Sequence, residues 1–87
     1  MDLNGALRSS VHRKIIHFFH DNQASVDTSR GIAAWVHEDR ANVKKALEEL
    51  VPLGILSAHR STSMTGYSYT IDPKLMKKIG RLLKKNT

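Results

Sequence analysis

The stretch that decides the fold is IAAWVHEDRANVKKALEELVPLGIL, which runs from Ile32 to Leu56. Its apolar residues recur at helical spacing on both sides of a short polar interruption at 37–38. Asp39 follows this interruption and is a favourable N-cap, and Pro52 is typical of a helix end. The stretch therefore predicts two helices joined by a tight turn, the second with residues 40–51 as its body.

The segments on either side predict the remaining elements. A first helix is expected from about Leu7 to His20, then a short strand at 24–26, and the next helix starts at Thr28 or Ser29, either of which can cap it.

Two strands and a helix are expected after the decisive stretch. Residues 55–60 and 67–71 are typical of a hairpin, with the polar residues 61–66 as its loop. Asp72 and Pro73 are suited to be the N-cap and the first residue of a last helix.

The core pattern of the decisive stretch consists of Ile32, Ala33, Val36, Asp39, Val43, Ala46, Leu47, Leu50, Gly54, Ile55 and Leu56. Followed by a hairpin, it is similar to the pattern of winged helix-turn-helix transcription regulators of the MarR/ArsR type. The resemblance covers roughly residues 10–72 and implies an α+β, mainly α fold: a three-helix core, a β-hairpin wing and an additional C-terminal helix. We expect a single domain over 1–87, with its core at about 7–72 and a basic amphipathic helix at about 73–85.

Two positions depart from the usual pattern of these regulators. Glycine is common in the turn between the two helices, where this chain has His37, and histidine tolerates a left-handed backbone better than most residues. An apolar residue is usual where Glu38 stands.

Composition excludes several classes of protein. The 87 residues are 40% hydrophobic and 25% charged, which argues against a disordered tail and a membrane protein. The absence of cysteine excludes disulfides, thiolate zinc sites and cysteine nucleophiles. The sequence contains no glycine-rich phosphate loop and no nucleophile motif that would indicate an enzyme. We therefore expect no enzymatic activity, no cofactor and no metal, and a cytoplasmic protein that is nucleoid-associated if its source is a prokaryote.

Positive charge is concentrated in the last third of the chain. Residues 1–27 hold three basic and three acidic side chains, 28–54 hold four of each, and 55–87 hold seven basic side chains against one acidic, so the excess of +6 lies there. This distribution indicates an anionic partner, which could be nucleic acid, an acidic protein or a membrane surface. Six of the seven are in the last helix: Lys74, Lys77, Lys78, Arg81, Lys84 and Lys85.

The resemblance implies double-stranded DNA as the partner and the third helix as the recognition helix. Residues near the N-terminus of that helix would meet base edges, where arginine can bind guanine and asparagine adenine through two hydrogen bonds. The start of the second helix and the wing, about 60–67, would contact the backbone or the minor groove. A solvated helix face of mixed charge is the alternative. The predicted DNA-binding residues are Ser29, Arg30, Arg40, Asn42, Lys44, Lys45, Arg60, Ser61 and Thr62.

Two carboxylates follow one turn later on the recognition helix. Glu48 and Glu49 are expected to face the same way as its basic residues, where they would repel phosphates. Lys44 and Lys45, each four residues earlier, could neutralise them, although this order of charges is the weaker one for such pairs.

The last helix has an apolar stripe opposite its basic side chains. Three alternatives remain open: the stripe packs on its own domain, pairs with the same helix of a second chain, or lies on an anionic membrane. Because many related regulators dimerise through flanking helices, the resemblance favours a homodimer that reads a palindromic site, with no membrane partner. The predicted dimer interface consists of Leu75, Ile79, Leu82 and Leu83.

The alternative function is a winged-helix protein-interaction module without sequence-specific DNA binding, because one fold can serve several functions. Trp35 and the last helix could then dock a protein partner, although half-burial against a neighbouring helix is the commoner place for such a tryptophan.

Overall fold

The computed structural model describes residues 1–85, with side chains through Lys84. Within this range the chain forms five helices and a small antiparallel sheet. From the helix that contains residues 10–20 onward, the elements follow the predicted order. The single domain is expected to include residues 86–87, but these two lie outside the described residues. The elements are α1 (Leu3–Arg8), α2 (Ser10–Asp21), β1 (Val26–Thr28), α3 (Ser29–Val36), α4 (Arg40–Leu50), β2 (Leu56–Arg60), β3 (Thr65–Tyr69) and α5 (Pro73–Lys85).

The N-terminal region forms two helices where the sequence predicts one that starts at Leu7. Asp2 caps α1, since its Oδ1 accepts a hydrogen bond from the backbone N–H of Gly5 at 2.8 Å. Ser9 is extended, with φ −82° and ψ 127°, and separates α1 from α2. Serine favours positions outside helix interiors because its hydroxyl competes for backbone groups, but a single serine inside an apolar repeat does not mark the break.

The turn between α3 and α4 has the predicted geometry. Thr28 caps α3 by accepting from the N–H of Gly31 at 3.2 Å, and Asp39 caps α4 by accepting from the N–H of Asn42 at 3.1 Å. His37 lies between them in the left-handed conformation, with φ 56° and ψ 46°. The two helices and their turn are therefore confirmed.

Glu38 connects this turn to α2. Its carboxylate forms an ion pair with the ammonium group of Lys14, which lies on the exposed side of α2. This contact gives the carboxylate of Glu38 a partner on a neighbouring helix.

The sheet has the strand order β1-β3-β2, and both pairs are antiparallel. β3 begins at Thr65 rather than at the predicted Tyr67, because Arg60 pairs with Thr65 at the end of the hairpin. The loop is thus shorter than expected and is closed by a hydrogen bond from the N–H of Ser61 to the carbonyl of Met64 at 2.9 Å. β1 lies two residues later than predicted, where it can pair with β3.

α5 packs on α2 and completes the core. Ile79 is fully buried, and Leu83 is 5% exposed. The guanidinium of Arg13 on α2 donates to the carbonyl of Leu83 at 3.1 Å. Gly80 allows a close approach, since a Cβ there would lie 3.1 Å from the ring of His20. Large side chains buried elsewhere in the core are Ile15, Ile16, Phe19, Ile32, Leu47, Leu50, Ile55 and Tyr67.

Candidate nucleic-acid interface

A groove of about 660 Å³ lies between α4 and the β2–β3 hairpin, and the start of α3 contributes to its wall. It contains four basic side chains, Arg30, Arg40, Lys44 and Arg60, and one acidic side chain, Glu48. Basic groups and hydroxyls are the donors that proteins commonly offer to phosphate oxygens. The groove therefore has the chemistry of an anion-binding surface. Its other lining residues are Thr28, Ser29, Ser61, Thr62, Ser63, Met64, Thr65 and Tyr67.

The groove brings together seven of the nine residues predicted to bind DNA. Arg40 and Lys44 share one face of α4, because four residues advance a helix by about one turn. Asn42 and Lys45 are exposed on α4 but do not line the groove. For all nine, DNA contact stays a prediction. The seven in the groove are Ser29, Arg30, Arg40, Lys44, Arg60, Ser61 and Thr62.

Glu48 is held in the groove by two side chains of the hairpin. Its Oε1 accepts a hydrogen bond from the Tyr67 hydroxyl at 2.8 Å, and its Oε2 accepts one from Nη2 of Arg60 at 3.0 Å. These two donors hold the pKa of the Glu48 carboxyl below its usual value, with a smaller contribution from Lys44. Lys44 thus contributes to neutralising Glu48, as the sequence suggests, but the closest cation comes from the hairpin.

Tyr67 is a fixed donor in this arrangement. Its side chain is 1% exposed, and burial together with the Glu48 contact raises the pKa of Tyr67 to about 12. The hydroxyl therefore keeps its proton at neutral pH and continues to donate to the carboxylate.

Glu49 contacts another helix instead of facing the groove as expected. Its Oε1 lies 3.0 Å from Nε2 of His12 on α2, and Nδ1 of His12 lies 2.7 Å from the Ser9 hydroxyl. Adjacent residues on a helix point about 100° apart, so the two carboxylates of α4 separate. The carboxylate of Glu48 lies in the groove, whereas that of Glu49 contacts α2.

The basic face of α5 lies apart from the groove. None of the α5 side chains that the structure describes lines it. The exposed basic residues of this helix are Lys74, Lys77, Lys78, Arg81 and Lys84, while the side chain of Lys85 lies outside the described part.

The four residues of the predicted dimer interface fall into two pairs. Ile79 and Leu83 belong to the chain's own core, whereas Leu75 and Leu82 are half-buried against it. Packing on its own domain, one of the three alternatives for this helix, thus accounts for the inner part of the apolar stripe. The dimer interface stays a prediction, and Leu75 and Leu82 are the two of these four that keep substantial exposed surface.

Trp35 is 67% exposed, which is more than the half-burial expected for it. Its ring stacks on that of Phe18 on α2, with the centroids 6.1 Å apart and the planes inclined by 29°. Together with Val26, which is 63% exposed, these residues line a small depression separate from the groove.

The histidines of α2 have protein partners. Nδ1 of His17 lies 3.0 Å from Oδ2 of Asp21, and Nδ1 of His20 lies 3.0 Å from the Tyr69 hydroxyl. No group of three or more potential ligands in residues 1–84 is arranged to hold a metal ion. In the same part of the chain, no helix is both long enough and apolar enough to cross a membrane.

Two solved structures are similar to this chain. A homodimeric winged helix-turn-helix DNA-binding domain from Mycobacterium bovis, described as a "possible ArsR-family transcriptional regulator", has a TM-score of 0.71 at 14% identity, over 91% of this chain and 69% of that one. The AntR antimony-specific transcriptional repressor has a TM-score of 0.73 at 21% identity, over 97% and 75%. Neither is described as an enzyme. No family model matches the sequence, and no curated protein matches it.

Similarity at this level of identity establishes the fold. The two helices α3 and α4, their left-handed turn and the following β2–β3 hairpin fit it element by element. The chain therefore has the winged helix-turn-helix fold, with α4 in the place of the recognition helix and the β2–β3 hairpin as the wing.

Proposed function

We propose that this protein is a DNA-binding transcriptional regulator that places α4 in the major groove and the wing on the backbone or in the minor groove. The observation that carries the proposal is the groove, where four basic side chains from three separate elements converge. In helix-turn-helix proteins the N-terminal residues of the recognition helix contact base edges. The two similar structures are described as regulators, which supports the same role.

Within the proposal, two sets of residues have different tasks. Arg40, Asn42, Lys44 and Lys45 lie in the N-terminal half of α4 and would discriminate between bases, since arginine can pair with guanine and asparagine with adenine. Contacts to phosphates fix the position of the protein without reading the sequence. That second task falls to Ser29, Arg30, Arg60, Ser61 and Thr62.

Salt dependence is the first test of the proposal. Random-sequence DNA offers no specific base contacts, so the groove cations meet phosphates there, and Glu48 offsets one of the four charges. If each of the three remaining charges neutralises one phosphate, the logarithm of affinity falls with the logarithm of salt concentration with a slope of about 2.7. The affinity for random-sequence duplex DNA then drops roughly 40-fold between about 50 and 200 mM salt. Fluorescence anisotropy of a labelled duplex measures this change, and an absence of binding at the lower salt concentration would contradict DNA binding.

A pair of triple variants then tests the surface. Replacing Arg40, Lys44 and Lys45 by alanine removes two groove cations and a neighbour, so affinity should fall roughly 100-fold if two charged hydrogen bonds are lost. A control variant removes the same charge from α5, outside the groove, and should lose only a few-fold. Equal losses would mean that overall charge, and not the groove, drives binding. The control positions for alanine are Lys74, Lys77 and Lys78.

The proposal includes a homodimer that reads a palindromic site with two copies of α4, in the cytoplasm or on the nucleoid of a prokaryote. Its support is the similar domain from Mycobacterium bovis, which is described as homodimeric. Sedimentation velocity over a range of protein concentrations tests it. A monomer that persists at about 100 μM, with and without DNA, would contradict this part of the proposal.

A protein-interaction module is the second candidate, and the exposure of Trp35 favours it. An exposed tryptophan stacked on a second aromatic ring is a typical anchor at protein interfaces. The triple variant of α4 separates the two candidates. Unchanged DNA affinity in that variant would exclude the regulator while leaving the interaction module, whose binding should instead depend on Trp35.

A further inference from the structure

The contact between Glu48 and Arg60 places an intramolecular competitor for DNA inside the groove. Arg60 is one of the four groove cations, yet in the free protein its guanidinium is engaged by both oxygens of Glu48, at 3.5 Å from Oε1 and 3.0 Å from Oε2. A phosphate that binds Arg60 must therefore displace a carboxylate that already occupies it.

We infer that Glu48 limits sequence-independent binding of this groove to DNA by holding Arg60 in the free protein. The inference rests on the proposed function and assigns to Glu48 a role in setting the affinity for the phosphate backbone. Contacts to phosphates carry no sequence information, so Glu48 lowers the affinity for every duplex and leaves discrimination between sequences to the base contacts of α4.

The exposure of the two partners allows this exchange. The Arg60 side chain is 60% exposed and that of Glu48 37%, so the ion pair can open toward solvent without disturbing the core. Exposed ion pairs of this kind are worth little in isolation. The competition is therefore weak: it lowers the affinity for DNA without preventing binding.

Tyr67 makes the competition persistent. Its buried hydroxyl donates to Oε1 of Glu48 at 2.8 Å, independently of Arg60. When Arg60 turns to a phosphate, the carboxylate stays fixed in the groove and keeps its negative charge. Tyr67 is thus a positioning residue for Glu48, which it keeps in place to hold Arg60 again.

The decisive variant is Glu48→Gln, which removes the charge but keeps an oxygen for the Tyr67 hydroxyl. The affinity for random-sequence duplex DNA at about 50 mM salt should rise by roughly two- to fivefold, the value of an exposed ion pair. Because one more cation then meets a phosphate, the affinity ratio between about 50 and 200 mM salt should grow by a further three- to fourfold. Anisotropy at the two salt concentrations measures both effects.

Glu49→Gln is the matched control. It makes the same change of charge on the adjacent residue, whose carboxylate contacts His12 outside the groove. Its affinity should change by less than twofold, and its salt dependence should equal that of the wild-type protein. Circular dichroism of both variants checks that the fold is retained.

An Arg60→Ala background tests whether Glu48 acts through Arg60, by the logic of a double-mutant cycle. There, Glu48→Gln should no longer steepen the salt dependence, and its gain in affinity should fall below twofold. Wild-type binding with no gain in Glu48→Gln, or a gain that persists in full without Arg60, would overturn the inference and leave the proposed function intact. If neither the wild-type protein nor Glu48→Gln binds DNA at about 50 mM salt, the proposed function itself fails.

Discussion

Shortening Ile79 to alanine should destabilise the protein strongly, because α5 is part of the domain's own core. Ile79 is completely buried, and truncation of a buried isoleucine costs about 2–5 kcal/mol through lost transfer energy and the cavity that remains. A chain of 87 residues has a free energy of unfolding of about 4–13 kcal/mol. A loss of about 3 kcal/mol would thus remove a large fraction of it and lower Tm by roughly 12–24 °C.

Ile71 provides the matched control for this change. Ile71 is 92% exposed, so its side chain buries almost no surface on folding. Ile71→Ala deletes the same atoms from this exposed position. Its expected effect is below about 0.5 kcal/mol. Urea denaturation followed by far-ultraviolet circular dichroism gives the free energy of unfolding of both variants and of the wild-type protein.

Protein concentration distinguishes burial within one chain from burial between two chains. If Ile79 is buried by its own domain, the loss in Ile79→Ala has the same size at about 2 and 200 μM protein. If a second chain buries it, the loss is large only where the dimer is populated. A loss below about 0.5 kcal/mol, or one that disappears on dilution, would refute the packing of α5 described above.

Three other changes have defined outcomes. Gly31→Ala should destabilise the protein by about 1 kcal/mol, since the added Cβ would lie 2.2 Å from Oδ1 of Asp27. In an Asp27→Ala background the same change should instead stabilise the protein by about 1 kcal/mol, because alanine has the higher helix propensity. Urea denaturation of the four proteins measures both effects. His37→Gly should stabilise the protein by about 1 kcal/mol, because a φ of 56° is costly for any residue with a Cβ. His37→Ala keeps that cost and should show no such gain in thermal denaturation. Burial raises the pKa values of Tyr67 and Tyr69 to about 12 from the ordinary 10.0. The folded state therefore favours the neutral side chains, and this contribution to the free energy of unfolding is complete below pH 10 and is lost as the pH rises toward 12. Absorbance of tyrosinate near 295 nm should then titrate at about pH 10 in denaturant and clearly higher in the folded protein.

The helix-turn-helix could be predicted from sequence because its determinants are local. Thr28 and Asp39 cap the helices that directly follow them, and each does so through an N–H group three residues away. His37 needs only its own backbone to form the turn. Interactions of this range are visible in a short window of sequence, so the bounds of α3 and α4 were nearly correct.

The partners of Glu48 could not be predicted in the same way. Arg60 lies 12 residues away and Tyr67 lies 19 residues away, and both reach Glu48 because the hairpin folds back over α4. The starts of β1 and β3 were misplaced for a related reason. Strand ends depend on the register between strands, and register follows from cross-strand pairing rather than from the residues of one strand.

Folding also separates the acidic residues of the segment 28–54, although a count of charges along the sequence treats them as one group. Residues 28–54 contain four basic and four acidic side chains and have no net charge. In the structure Glu38 pairs with Lys14, Glu49 contacts His12, and Asp39 caps α4. Three of the four acidic residues are therefore engaged outside the groove.

The positive charge of the groove is thus produced by the fold and not by the composition of any one segment. Arg30, Arg40 and Lys44 come from the segment with no net charge, Arg60 joins them from the hairpin, and Glu48 subtracts one, which leaves four minus one, or +3. The last helix holds the largest basic cluster in the sequence, yet its described side chains do not line the groove. Under the proposed function, the net charge of the groove gives a salt slope of about 2.7, whereas contacts by the six basic residues of the last helix would give about 5.4. The slope measured with DNA therefore distinguishes the surface that folding creates from the one that the charge count alone indicates.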